Sequence, residues 1–391
     1  MRKKLIALAI VAVNAIFAVI PQAGAAETGG ILNRQAAIAL VQEHSTDLWN
    51  LRENIGFANR DYEKQLLQAK NIDTEKASFY NPYTEENEFF YYDEPTQMQL
   101  RMAKEFYPEA MYKFRAEMLE RSLDVAKNAL ANAADNLYSG LYGTYQNKLL
   151  AQKSLESAGK TLAREETRFK SGLITALDLE ASRLEVETYE KAITKADRDF
   201  ENIHRQFNSL AGLPLDYRYD MVGTPFVTTN KVTISEDQAV ADALKNRKEI
   251  WEINRQMQLV NKKLEIYQHK NVHLTHKDTR EDYADALEEL EDLKLQLSEK
   301  SRAIEKEIRK AYQDLQLSYL DMEITKLELA KMKNQLETIT NQYRSGLIPV
   351  VYVEQLESGI HQLETAVNMN MITTLVKKDQ FSRAISIGPG Y

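Results

Sequence analysis

Arg168-Phe-Lys-Ser-Gly-Leu-Ile-Thr-Ala-Leu-Asp-Leu-Glu-Ala-Ser182 is the stretch that decides the fold, because it recurs as Gln342-Tyr-Arg-Ser-Gly-Leu-Ile-Pro-Val-Val-Tyr-Val-Glu-Gln-Leu356. Ser-Gly-Leu-Ile is identical in both copies, and an aromatic residue stands three positions before each glycine. Each copy lies between two long runs with apolar residues at heptad spacing, which is typical of helices. The sequence therefore predicts two long helical hairpins, each with one copy as its turn.

Residue types within the two copies predict how one helix ends and the next begins. Gly172 and Gly346 can adopt the left-handed conformation that ends a helix, because they have no Cβ atom. Thr175 with Asp178 three residues later has the pattern of a capping box, and Pro349 suits the first turn of a helix. Any antiparallel helical hairpin needs such a turn, but two similar copies indicate tandem repeats.

Composition favours long helices and narrows the classes of function. The 391 residues are 43% hydrophobic and 28% charged, and they include only 14 glycines and 8 prolines. Few helix breakers and many charges favour long helices over a compact sheet protein. The net charge of −8 argues against nucleic acid as a partner. Since the chain has no cysteine, it can form no disulfide and carries no lipidated N-terminal cysteine.

Residues 1–26 are predicted to be a secretory signal peptide. Arg2, Lys3 and Lys4 precede an apolar run, which is followed by the small-residue site Ala23-Gly24-Ala25. The run is short for a membrane-spanning helix, and an uncleaved anchor is the alternative. The protein is therefore predicted to be exported.

The repeats extend upstream of the turns. Segments 31–66 and 235–268 both have apolar residues at helical spacing, and the chain's two tryptophans, Trp49 and Trp251, occupy equivalent positions. The offset between the repeats is 202 residues at the tryptophans and 174 at the glycines, a difference of 28 residues that the first repeat carries as an insert. This aromatic and acidic insert, at about 71–98, is predicted to be a loop with at most a short hairpin. Its rings pack on the helices beneath, which is the favoured interpretation, or form an exposed collar.

Long helices follow in each repeat. The first is predicted at 99–170, with interruptions near Pro108 and near Gly140 and Gly143, and returns through 175–210. The second runs from about 280 to 345, a length of about 100 Å.

The second long helix has two apolar stripes. One contains Ile308, Leu315 and Met322, and the other contains four residues: Leu317, Leu320, Ile324 and Leu327. A two-stranded coil needs one stripe, whereas a helix in a ring contacts neighbours on two sides and needs two. The two stripes indicate a helical cylinder, although a four-helix bundle could also produce them.

Taken together, these features resemble the TolC family of outer membrane efflux channels. The resemblance rests on a signal peptide, two repeats of a short helix and a long hairpin, and an aromatic-x-x-Gly turn followed by a helix start. Leu210-Ala-Gly-Leu-Pro214 and the pair Tyr138 and Tyr312 add to it. The implied division is a first repeat at 27–214, a crossing at 215–234 and a second repeat at 235–391.

The resemblance implies a homotrimer whose helices form a hollow α-barrel tunnel. It further implies the exit duct of a tripartite efflux or type I secretion system, a passive conduit at the outer membrane or in the periplasm. The turns would form the tunnel tip and dock a periplasmic adaptor, or membrane fusion protein, which joins an inner-membrane pump. The tip and docking positions would be Gly172, Leu173, Thr175, Asp178, Gly346, Leu347, Pro349 and Tyr352. The candidate entrance acids are Asp178, Glu180, Glu354 and Glu357.

The sequence departs from the family in two ways. Members of the family place carboxylates where this chain has Tyr352 and Gln355, so an acidic gate ring is in doubt. The family's β-barrel also needs two strands per repeat, and the polar stretch Tyr267–Asp278 is a poor source of lipid-facing strands. The fold is predicted to be all-α with little or no β-barrel, unless irregular strands escape the repeat alignment.

The sequence gives little support for catalysis or metal binding. His269, His273 and His276 would share one face if helical, but their polar surroundings favour a solvated loop over a metal site. No nucleophile motif, phosphate-binding loop or spaced metal motif is found, so neither an enzyme nor a cofactor is predicted. The alternative to a conduit is a structural coiled-coil protein of the envelope, or an adaptor without a conduit.

Overall fold

Helices form most of the chain in the computed structural model, which describes residues 29–222 and 231–388. The predicted signal peptide at 1–26 lies outside the described residues, as does part of the predicted crossing between the repeats.

The first repeat combines two short helices, an insert and a long hairpin. In chain order its elements are β1 (Gly29–Leu32), α1 (Arg34–Glu43), α2 (Thr46–Lys70), β2 (Lys76–Asn81), β3 (Glu86–Tyr91), α3 (Glu94–Arg101), π-helical turns at Met102–Phe106 and Pro108–Lys113, α4 (Phe114–Lys170) and α5 (Ala176–Leu210). Helices α4 and α5 pack along each other as the predicted hairpin.

The second repeat follows the same order without the long insert. Its elements are β4 (Tyr219–Val222), α6 (Glu236–Asn246), α7 (Lys248–Gln268), a 3₁₀ turn at His269–Asn271, α8 (Val272–Thr275), α9 (Lys277–Arg344) and α10 (Val350–Ile385). Strand β4 pairs in parallel with β1, so the two repeats begin side by side. The predicted tandem repeats of short helices and a long hairpin are confirmed.

Each upstream segment is two helices rather than the predicted one. Ser45 has an extended backbone and its hydroxyl accepts the N–H of Leu48, which starts α2 after a break. Arg247 breaks the second segment, and its buried guanidinium donates to Glu307 and to the carbonyl of Ala384. The apolar periodicity runs across both breaks, so periodicity alone did not reveal them.

The first long helix begins earlier than predicted and changes its winding near its start. Two π-helical turns span residues 102–113 on either side of Tyr107, and Pro108 lacks the N–H that a regular helix would need there. Gly140 and Gly143 lie inside the unbroken helix α4, so the predicted interruption there is wrong. Gly143 instead leaves room for the Met369 side chain of α10.

Equivalent ion pairs with exchanged charges join the short and long helices in the two repeats. In the first, Nε of Arg34 on α1 lies 2.6 Å from Oδ1 of the fully buried Asp135 on α4. In the second, Nη1 of Arg309 on α9 lies 3.1 Å from Oε1 of Glu236 on α6. Glu236 and Arg309 stand at the offsets of 202 and 174 from their counterparts. The contact is conserved between the repeats, and the repeat alignment is consistent with it.

One apolar stripe of α9 is buried within the chain and the other is exposed. Ile308, Leu315 and Met322 pack in the core between α9, α6 and α10. The members of the second stripe are all exposed: Leu317, Leu320, Ile324 and Leu327. The exposed stripe is therefore a long apolar surface on the single chain.

The aromatic insert is a projecting antiparallel hairpin rather than a loop packed on helices. Strands β2 and β3 pair from Lys76↔Tyr91 to Asn81↔Glu86. Its aromatic side chains are exposed, and Tyr83 at the tip is 95% exposed. The favoured prediction, that these rings pack on the helices beneath, is wrong.

Candidate site at the hairpin tips

The two turns share one backbone geometry, and both glycines are left-handed as predicted. Gly172 has φ +69° and Gly346 has φ +72°. In both, the residue after the glycine donates its N–H to a carbonyl five positions earlier, Leu173 to Arg168 and Leu347 to Gln342, each at 2.9 Å. This is the Schellman ending of a helix. Because a Cβ at either glycine would meet only open space, the backbone conformation alone demands glycine.

The first turn restarts its helix with the predicted capping box. The Thr175 hydroxyl accepts the N–H of Asp178 at 3.2 Å, and the Asp178 carboxylate accepts the N–H of Thr175 at 2.9 Å. Hydrogen bonds from the hydroxyl and N–H of Thr175 hold the pKa of Asp178 below its usual range. The carboxylate of Asp178 is thus engaged within the turn.

The second turn restarts without a side-chain cap. Pro349 stands at the N-cap with an extended backbone, and α10 begins at Val350. The prediction of Pro349 within the first turn is therefore one residue too far into the helix. The pyrrolidine ring offers no oxygen, so the free N–H groups of α10 gain no side-chain acceptor from this position.

Exposed apolar side chains surround both turns. Leu173 and Leu347, which follow the two glycines, are 69% and 74% exposed. Leu177 and Tyr352 in the next helical turns are exposed as well. Clustered apolar surface at the end of a hairpin is typical of a protein contact site.

Glu354 is held by an arginine of the other repeat. Both of its oxygens accept hydrogen bonds from Arg164 on α4, each at 2.6 Å, in a bidentate pair. These hydrogen bonds hold the pKa of Glu354 below its usual range. The pair fixes α10 against α4 just behind the tips.

The remaining candidate acids have different surroundings. Glu180, the equivalent of Glu354, is exposed, and its nearest basic partner is Arg183 at 3.8 Å. Glu357 lies beside Lys160 in a polar cavity between α4 and α10. Of the four candidate acids, Glu354 and Glu357 line the same cavity. Asp178 and Glu180 lie apart from them on α5.

Two cavities flank the second tip. The polar one, of about 240 Å³, lies between α4 and α10 and includes Lys153, whose Nζ is 3.1 Å from Nδ1 of His361. The other, of about 510 Å³, lies between α9 and α10, where Ile339 faces Tyr352 and Leu356. The tip region thus offers one polar and one largely apolar recess.

Sequence reasoning missed Arg164 and Lys160 as members of this region. Both lie on α4 before the first turn, and Arg164 is 190 residues from Glu354. No local motif relates such distant positions. Only the repeat architecture, which brings α4 and α10 side by side, could have indicated that Arg164 and Lys160 belong to this region.

His269 and His273 lie in short helical turns, whereas His276 lies in the exposed, extended link between α8 and α9. The rings of His273 and Tyr283 pack at a tilt of 36° with centroids 4.6 Å apart, and Nδ1 of His273 lies 3.2 Å from the carbonyl oxygen of Tyr267. Tyr267 and Val272 belong to one buried cluster with Met98 and Met102 of the first repeat. Within residues 29–222 and 231–388 no group of three or more His, Asp or Glu side chains is placed to hold a metal ion.

None of the helices in the described parts of the chain is both long enough and apolar enough to cross a membrane. No protein-family model and no curated protein sequence matches the chain.

Solved structures do match, and several of them are described as membrane channels or outer membrane proteins. CusC, from a study of transmembrane channel formation, has a TM-score of 0.63 at 13% identity, over 91% of this chain and 92% of that chain. The CmeC outer membrane channel of Campylobacter jejuni has a TM-score of 0.61 at 13% identity, over 92% and 86%. The outer membrane protein VceC of Vibrio cholerae has a TM-score of 0.61 at 14% identity, over 91% and 96%.

These matches define the class of fold. The chain has the helical fold of these channel and outer membrane proteins over 91–92% of its length. The resemblance drawn from the duplicated turns is confirmed at the level of the fold.

Proposed function

We propose that this protein is the exit-duct subunit of a tripartite efflux or type I secretion system. Three copies would form a helical tunnel in the cell envelope, in contact with the outer membrane or within the periplasm. The tunnel would conduct small molecules or proteins passively, without catalysis. Two of the similar structures are named outer membrane channels, which supports a channel. The efflux or secretion system, the trimer and the partners are the proposal's own extension of that role.

The second apolar stripe of α9 is the observation that carries the proposal. A solid coiled coil buries one stripe per helix and presents a polar exterior. Helix α9 has one stripe against α10 and a second, exposed one on another side. A helix in the wall of a tunnel needs both, because it has a neighbour on each side.

The hairpin tips are the proposed docking surface for a periplasmic adaptor that joins an inner-membrane pump. Leu173 and Leu347 would contribute apolar contacts, with Leu177 and Tyr352 beside them. Gly172, Gly346, Thr175, Asp178 and Pro349 would hold the turns in shape. Glu180 and Glu357 are the exposed candidate acids that take no part in the capping box or the bidentate pair with Arg164, and they would favour cations over anions at the entrance.

The first test is the absolute mass of the mature chain by light scattering, with and without detergent, followed by electron microscopy. We expect a trimer in at least one of the two conditions, with a hollow centre in end-on views. A monomer or dimer in both conditions, or a trimer with a solid centre, would contradict the proposed conduit.

Docking is tested separately with a photo-crosslinking amino acid at Leu347 in the native host. We expect covalent capture of a periplasmic protein that mass spectrometry identifies as an adaptor of a pump. The same amino acid at Lys326, an exposed position on the shaft of α9, is the control. Equal capture of the adaptor from both positions would contradict docking at the tips.

A further inference from the structure

A recess of about 530 Å³ lies at the base of the projecting hairpin, between the end of α2 and the π-helical turns that precede α4. Cavities of this size hold drug-sized organic molecules. Gln65 and Ile72 line it on one side, and Tyr107 and Met111 line it on the other. Among the described residues none that lines the recess is charged, although 28% of the chain is.

The π-helical turns leave one main-chain carbonyl at this recess without its usual partner. Within them the N–H of Tyr107 bonds the carbonyl of Met102, five residues earlier. Pro108 stands five residues after Ala103 and has no N–H. The carbonyl of Ala103 therefore lacks the amide that this winding would bring to it, and Ala103 and Pro108 both line the recess. Such π-helical turns are frequent at functional sites.

Apolar and aromatic groups at the recess are exposed instead of packed. Tyr107 is 44% exposed and Met111 is 61% exposed. Two charged residues of the same turns are engaged elsewhere, because Lys104 donates to the carbonyl of Ile72 at 2.8 Å and Glu109 forms an ion pair with an arginine of α7. The recess thus presents apolar surface and uncharged hydrogen-bonding groups.

A bulky side chain occupies the equivalent position in the second repeat. Trp49 and Trp251 set the offset of 202 residues, and α2 and α7 each continue unbroken from their tryptophan. At that offset Gln65 corresponds to Tyr267, which is only 5% exposed and packs in a buried cluster with residues of α8 and α9. A tyrosine ring is thus buried where the first repeat has a flexible amide beside an open recess.

We propose that this recess binds one neutral, flat aromatic molecule that carries a hydrogen-bond donor. The rings of the molecule would lie against Tyr107 and Met111, since aromatic rings and methionine sulfur both attract aromatic groups. Its donor would reach the carbonyl of Ala103. Uncharged walls disfavour a charged ligand, because burying a charge without a partner is costly. The site does not rest on the proposed function.

The probe for this site is N-phenylnaphthylamine, an uncharged aromatic amine with a single N–H. Its emission is excited through tryptophan, because Trp49 lies on α2 about 24 Å from Gln65 and probe dissolved in detergent is then not counted. We expect saturable binding of one molecule per chain. The matched probe is anilinonaphthalene sulfonate, which has similar rings and a negative charge, and we expect it to bind more than about tenfold more weakly.

Substitutions locate the bound probe. Gln65→Tyr introduces the side chain of the second repeat, and we expect it to fill the recess and abolish binding. Lys64→Tyr is the matched control, since it adds the same ring at the exposed neighbouring position of α2 and should leave binding unchanged. Pro108→Ala supplies an N–H for the carbonyl of Ala103, and we expect binding to weaken about three- to tenfold. Circular dichroism checks that each variant is folded.

Three outcomes would overturn the site. No saturable binding, or equal binding by the native chain and Gln65→Tyr, would show that the recess does not hold the probe. Equal affinity for the neutral and the charged probe would indicate general attraction to exposed apolar surface. Binding by single chains that is lost when the chains assemble would mean that a second copy covers the recess.

These outcomes are distinguishable from failure of the proposed function. A chain that stays monomeric in light scattering but binds the neutral probe would overturn the conduit and support the site. A hollow trimer that does not bind the probe would do the reverse.

Discussion

The two hairpin tips have nearly identical backbones but are stabilised differently. The first tip is closed by its own residues, because Thr175 and Asp178 cap each other within one turn of helix. The second has no side-chain cap, and the helix that follows it is fixed by Glu354 against Arg164 of the first hairpin. The first tip is thus a self-contained unit, whereas the second depends on contact between the repeats.

The largest effect is expected from replacing the left-handed glycines. Gly346→Val should destabilise the second turn by about 1–3 kcal/mol, since a β-branched residue is strained at positive φ. Gly172→Val should have a smaller effect on the tip amides, because the capping box still holds its turn. Hydrogen exchange at the tips, with circular dichroism for total helicity, measures both variants. An equal loss of protection from hydrogen exchange at the two tips would contradict the proposed difference in how the two turns are stabilised.

An intermediate effect is expected from removing the cap. Thr175→Ala should destabilise the start of α5 by about 1 kcal/mol, because the N–H of Asp178 loses its acceptor. Pro349→Ala is the matched control at the second tip, where no side-chain cap exists to be lost. Hydrogen exchange of the first helical turns should show a change in α5 and little change in α10. A comparable change in both helices would speak against the difference in capping.

The smallest effect is expected from breaking the pair between the hairpins. Arg164→Ala should reduce stability by about 0.5 kcal/mol at neutral pH, since the pair is partly exposed. The lowered pKa of Glu354 means that its stabilisation is complete above about pH 4.3, the ordinary value for glutamate, and is lost as the pH falls through the lowered pKa.

The pH dependence of thermal unfolding checks this prediction. The difference in melting temperature between the native chain and Arg164→Ala should shrink as the medium is acidified below about pH 4. A difference that stays constant down to strongly acidic pH would show that the pair's charge plays no part.

Local motifs predicted the tips well, because a helix end is determined by a few adjacent residues. The left-handed glycines and the capping box each follow from residue types within four positions of one another. The break at Ser45 was also local, but the apolar periodicity across it concealed the cap. The exposure of the second α9 stripe could not be predicted, since an apolar stripe reads the same in a sequence whether or not another helix of the chain covers it.

Contacts between the repeats were beyond prediction from a single sequence. The pairing of Glu354 with Arg164 follows from the way in which two long hairpins lie side by side. The prediction that the insert packs on the helices was wrong, because an aromatic and acidic composition fits a packed loop as well as the projecting hairpin that is observed. Its rings are exposed on both strands, so no in–out alternation marked a buried face.

The pairing of β1 with β4 has a consequence for the order of folding. Gly29 pairs with Tyr219, so almost the entire first repeat lies between the partners. A chain that emerges N-terminus first must keep β1 unpaired until both helices of the first hairpin have emerged. Closing so long a loop is slow compared with forming a helical hairpin. We therefore expect the pairing of β1 with β4 to form after the first helical hairpin.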